Sequence, residues 1–215
     1  MNLDNNLFNK IFLWIGIGLL ISFGTGYYLS TNIILLEKLL IDVGLIWILI
    51  ITVALTFVFK FFLLKLPKEV LYILYIAFAL IFGVTIASVF IIYEVESIIQ
   101  IFLVTSIIFI IMTIYGSVTK KDLSSFGKIL MFGLLGVIIF SILNIFIFKS
   151  EMFDVILTSF SALIFIIFIA YDIQKIKRLM VSIPEDRLVI YGAFELYLDF
   201  INVFLDLIRL FGRRK

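Results

Sequence analysis

The 215-residue chain contains neither cysteine nor histidine. Without cysteine there are no disulfides, thiolate metal sites or thiol nucleophiles; without histidine there is no imidazole zinc ligation, no Ser-His-Asp chemistry and no imidazole pH switch. Proton chemistry near neutral pH therefore falls to carboxylates with raised pKa, or to Lys or Tyr. Charge is scarce too, at 15% of residues, where a soluble domain carries about 25%. Proline occurs twice, at Pro67 and Pro184.

Apolar residues fill the space, at 64% of the chain with a mean hydropathy of +1.29. That composition predicts an all-α integral membrane protein in contact with the lipid bilayer. The net charge of +2 is small and the basic residues sit at span ends, which reads as a topology signal and gives no support to nucleic-acid binding. The first apolar run follows Asp4 and Lys10 and is far longer than a signal-peptide core, so it is expected to be a retained span.

Uncharged runs at 11–36, 43–59, 70–93, 97–119, 129–148 and 155–171 match or approach the ~20 residues needed to cross a bilayer as helix. With a last segment at 188–211, interrupted by Glu195, Asp199 and Asp206, the expected spans are 8–30, 43–64, 70–93, 97–119, 129–148, 155–174 and 188–211 in a single transmembrane domain. The connections are short, including about 30–42, so the helices should form an up-and-down bundle. Eleven of the 17 Lys and Arg residues lie on the side of the N-terminus, against Lys38 and Lys149 on the other. This predicts a cytoplasmic N-terminus. The remaining four, Arg209, Arg213, Arg214 and Lys215, close the chain. Seven full crossings would put this tail outside; a re-entrant last helix would return it.

Glycines at 16, 18, 24, 26, 133 and 136 are expected at helix contacts. Asn144, deep in span five, is expected either as packing glue or as part of a hydrophilic cavity.

The last segment carries Glu195, Asp199, Asn202 and Asp206 at spacings of 4, 3 and 4, which is one stripe of a helix. An ionised Asp at a bilayer centre costs roughly 2.5–3.5 kcal/mol, so such carboxylates face protein or water. Asp206 is expected to pair with Arg209 at i+3. Asp172, at the end of span six, could pair with Lys175 or, across to span seven, with Asp199. Two carboxylates in hydrogen-bond reach would share a proton and titrate together. Lys60, at the end of span two, is the available basic partner.

Three blocks, Tyr115-Gly116-Ser117-Val118-Thr119-Lys120-Lys121-Asp122-Leu123-Ser124, Tyr171-Asp172-Ile173-Gln174 and Leu196-Tyr197-Leu198-Asp199-Phe200-Ile201-Asn202, with the ending Leu207-Ile208-Arg209-Leu210-Phe211-Gly212, resemble the Bax inhibitor-1 family in order and across the whole chain. The resemblance implies six helices around a central seventh and a pH-sensitive calcium leak, in which Asp172 and Asp199 form a hydrogen-bonded gate. A basic side chain from span two assists this pair in the bacterial members. Here Lys60 stands where an arginine is expected, so a forked clamp is lost. Glu195 is an additional carboxylate near Asp199, and Asn202 and Asp206 are candidates for an ion path or for tuning the pair. Ca²⁺ is then cargo with Asp172 and Asp199 as transient ligands, no cofactor is implied, and the small chain suggests a bacterial plasma membrane.

Two other functions compete. A non-transporting regulator would bind another membrane protein through an unspecified surface. An intramembrane aspartyl protease also pairs aspartates on spans six and seven, but it places the second in a Gly-x-Gly-Asp loop followed by Pro-Ala-Leu. This chain has Leu196-Tyr197-Leu198 before Asp199 and no later proline, which argues for a non-enzyme.

Overall fold

The computed structural model describes residues 3–42, 44, 51–52, 54–58 and 66–215. Seven helices are delimited in it: α1 (Leu3–Thr31), α2 (Ile33–Asp42), α3 (Lys68–Ile92), α4 (Val95–Val118), α5 (Ser124–Leu143), α6 (Glu151–Leu179) and α7 (Glu185–Phe211). All but α2 are long and apolar enough to cross a membrane. Helix is the expected state, since a chain in hydrocarbon must satisfy its backbone internally. The expected second span, 43–64, falls largely outside the described residues, and Lys60 with it; within it, 51–52 and 54–58 are helical.

Helix ends follow local chemistry. Pro67 takes the N-cap position of α3, where its missing N–H costs nothing. Acidic residues open α6 (Glu151, Asp154) and α7 (Glu185, Asp186), and α6 closes on Lys177 and Arg178, complementing the helix dipole at both ends. Past Leu143 the α5 ladder slips into a π-helical turn, Asn144–Phe148, closed by Lys149 at φ 49°. The Asn144 amide holds that turn, donating to Ser150 C=O and accepting from Ser150 N–H, both at 3.0 Å. Of its two expected roles, Asn144 thus takes that of local glue. Where a connection was expected at 30–42, α2 forms instead. Leu36 and Leu39 share one of its faces and pack with Leu29, Val84 and Ala87.

The helices fall into two compact units. The first comprises Met1–Glu94, Leu179–Tyr197 and Arg214–Lys215; the second comprises Val95–Arg178 and Leu198–Arg213. Helix α7 contributes to both. It is also the enclosed element: 83% of its most apolar window is buried, against 11–44% for the other candidate spans. The outward apolar side chains of α5 and of the π-helical turn that follows it, such as Phe132 at 72% and Phe146 at 74% exposure, suit contact with lipid chains. The described elements are all helices, the all-α class expected of the chain.

In the first unit, α7 runs alongside α3 in the same direction. Its start is tied to Lys10 through Glu185 (2.7 Å) and to Lys68 through Asp186 (3.4 Å). Lys215 N–H donates to Ile92 C=O (3.0 Å) and its ammonium to Phe90 C=O (2.7 Å), beyond the far end of α7. The two ends of the last helix are therefore tied to the two ends of α3. The basic tail lies at the opposite end from Lys10.

Candidate functional site

In the second unit the end of α6 is fastened by its own side chains. Gly116 of α4 lies so close to α6 that a Cβ there would stand 2.6 Å from Ala170 C=O. On α5 the same absence at Gly127 admits the Tyr171 ring, 2.5 Å from where a Cβ would be. Gln174 then spans the turn before α5, with Nε2 donating to Lys121 C=O (2.9 Å) and Oε1 accepting from Leu123 N–H (3.0 Å). Lys177 donates to Ser117 C=O (2.8 Å), and Arg178 stands 3.6 Å from Asp122. These contacts join the 115–124 and 171–174 blocks, which sequence reading could only align.

Asp172 sits within this frame at 3% exposure, between Ala170 and Ile173, neither of which has exposed surface. Its carboxylate Oδ1 is 3.7 Å from the ammonium of Lys175. The in-helix pair expected at i,i+3 thus forms, and Lys175 is a basic group at Asp172 among the described residues.

Asp199 belongs to the same unit at 5% exposure. The next residue orients this stretch: the Phe200 ring meets Phe102 and Phe109 of α4 edge-on at 5.3 and 5.6 Å, the favoured geometry for aromatic pairs. Asn202 donates from Nδ2 to Leu198 C=O of its own helix (2.8 Å), so its amide N–H is turned to the backbone. Asp206 has the Ser161 hydroxyl of α6 beside it. Arg209, expected to pair with Asp206, donates from Nη2 to Asp154 Oδ1 at 2.8 Å, and its charge also acts on Asp206. Among the described residues no three acidic side chains gather as a metal cluster.

Glu195 is buried too, at 5% exposure, and falls in the first unit. Sequence reading missed the polar contacts there. Ser22, with no exposed surface, donates to Ala79 C=O (2.8 Å) and shares a 2.6 Å hydrogen bond with the Tyr197 hydroxyl. Tyr75 donates to Trp14 C=O (2.8 Å). Each satisfies a hydroxyl in an apolar interior, and no periodicity signals them. At the start of α7 a cleft of about 470 Å³ is lined by Lys10, Tyr72, Glu185, Asp186 and Val189.

Outside the spans, the carboxyl of Asp122 is held below the usual aspartate range. The Ser124 backbone N–H (2.9 Å) is the main cause, then the Ser124 hydroxyl (2.7 Å) and the charge of Arg178.

Comparison with known proteins gives a match of residues 4–215 to the family model described as "Inhibitor of apoptosis-promoting Bax1". The inner membrane protein YbhL of Escherichia coli is 35% identical over 213 residues, covering 96% of this chain and 91% of YbhL. An uncharacterized protein of Borreliella burgdorferi is 32% identical over 219 residues, covering 99% and 94%. An uncharacterized membrane protein of Streptococcus pyogenes is 36% identical over 143 residues, covering 65% and 62%.

Proposed function

The chain belongs to the Bax inhibitor-1 family, and from that premise we propose that it is a pH-sensitive calcium-leak channel gated by Asp172 and Asp199. The observation that carries this reading is the burial of both carboxylates, at 3% and 5% exposure, on α6 and α7 of one compact unit. Buried carboxylates in a membrane helix are expensive, and two in one low-dielectric unit favour a shared proton if they meet. When the pair holds a proton the path is closed; when it separates, carboxylate oxygens become available to Ca²⁺.

Calcium takes 6–8 oxygens in a lasting site, so a pair of carboxylates suits passage better than storage. Lys175 adds a positive charge 3.7 Å from Asp172, which disfavours long cation residence there. Lys60, as the span-two partner, remains part of the proposal, as do Glu195, Asn202 and Asp206 as lesser contributors. The protein is membrane-embedded, as YbhL is by its name. Its N-terminus is assigned to the cytoplasm on the Lys and Arg distribution.

The test is calcium flux into proteoliposomes across a pH series. Asp172→Asn and Asp199→Asn are expected to change both the rate and the pH dependence. Profiles identical to wild type in both variants would reject the reading. Loss of flux with an intact cellular phenotype would turn it towards a non-transporting regulator.

A further inference from the structure

Asp206 lies near the end of α7, away from Asp172. Its Oδ2 is buried and meets no hydrogen-bond partner among the described residues, while the Ser161 hydroxyl of α6 lies beside the carboxyl. The cation that spacing offers it, Arg209 at i+3, donates at 2.8 Å to Asp154 in the first turn of α6. The other titratable groups on the elements of this unit nearest that end are Glu96, 3.8 Å from Arg213, and Lys149 and Glu151, both exposed. Tyr115 and Lys128 belong to the other end and are exposed. An ionised oxygen shielded from water and lacking a donor is the costly form of a carboxyl; the neutral acid avoids that charge.

We propose that Asp206 is a proton-binding site, distinct from the Asp172–Asp199 pair, and that Arg209 is shared between two carboxylates. While Asp206 carries its proton, Arg209 holds Asp154. When the Oδ2–H bond breaks, the proton passes to water at the helix end, where Arg209 is 56% exposed, and Arg209 turns back one helical turn to the charge left on Asp206. Asp154, 38% exposed, is then stabilised by water and by the N-terminal dipole of α6. The tie between the start of α6 and the end of α7 is thus present with Asp206 protonated and released with it ionised.

Infrared pH-difference spectra of the full chain in lipid vesicles read this directly. A protonated-carboxyl band present in wild type and in Asp172→Asn is expected to be lost in Asp206→Asn. In Asp154→Asn, which frees Arg209, that band should titrate about one pH unit or more lower. Ser161→Ala keeps the carboxyl but removes the hydroxyl beside it, and should shift the band's frequency. Spectra of Asp206→Asn that superimpose on wild type at every pH overturn the site. A band unmoved in Ser161→Ala does so too, even if Asp206→Asn fails to fold. An unchanged titration in Asp154→Asn overturns the sharing of Arg209. None of these readings uses calcium flux, so the site and the leak stand or fall separately.

Discussion

The ammonium of Lys175 stands 3.7 Å from Asp172 Oδ1, one turn along the same helix, with the two side chains 29% and 4% exposed. A charge buried as deeply as Asp172 needs compensation, and here part of it comes from its own helix. Lys175 lies far enough from full burial to keep its stem against protein and its ammonium near water.

Lys175→Gln removes that compensation while keeping most of the stem. A loss of roughly 1–2 kcal/mol is expected, between the values for exposed and buried pairs. Thermal unfolding in detergent should show a lower midpoint for Lys175→Gln and a nearly wild-type one for Lys175→Arg. Equal midpoints in all three would show that Lys175 contributes nothing to holding Asp172.

Gln174→Leu strands two backbone groups of the 121–123 turn, Lys121 C=O and Leu123 N–H. Each lost partner costs about 1 kcal/mol where the group cannot reach water. Amide exchange at Leu123 should accelerate. Gln174→Glu keeps the acceptor, so Leu123 should stay protected there; fast exchange in both variants would refute this division of roles.

Gly116→Ala is expected to be among the most damaging single-methyl changes in the second unit, since the added carbon meets the Ala170 backbone at 2.6 Å. Overpacking of this kind costs about 1–3 kcal/mol. Gly136→Ala is the control, because nothing among the described residues lies within 4 Å of its added carbon. Folded yield and unfolding midpoint should fall for the first and hold for the second.

Asp122 predicts a pH effect confined to the α4–α5 turn. Its carboxyl is lowered in the folded state, chiefly by the Ser124 N–H and hydroxyl. Its contribution is therefore complete above the ordinary aspartate range and is lost as pH falls through the lowered value. Protease cutting at 119–124 should rise on acidification in wild type. Asp122→Asn, whose amide oxygen can still accept from Ser124, should show little of that acid response.

Much of this protein was legible without coordinates. The long apolar helices and the polar stripe of α7 rest on local patterns, and a bilayer leaves a long apolar run few alternatives to helix. The pairing of Asp172 with Lys175 could likewise be read from an i,i+3 spacing. Other features join residues that no periodicity connects: Arg209 to Asp154, Gln174 to Lys121 and Leu123, and Ser22 to Tyr197. The two readings of the basic tail show the divide most clearly. Composition permitted a crossing or a return for the last helix, since both satisfy the backbone. The contacts of Lys215 with Phe90 and Ile92 place the tail at the far end of α3, which no local pattern announces. Hydropathy specifies that a segment leaves water, whereas where its far end comes to rest depends on which distant carbonyls and carboxylates accept its terminal charges.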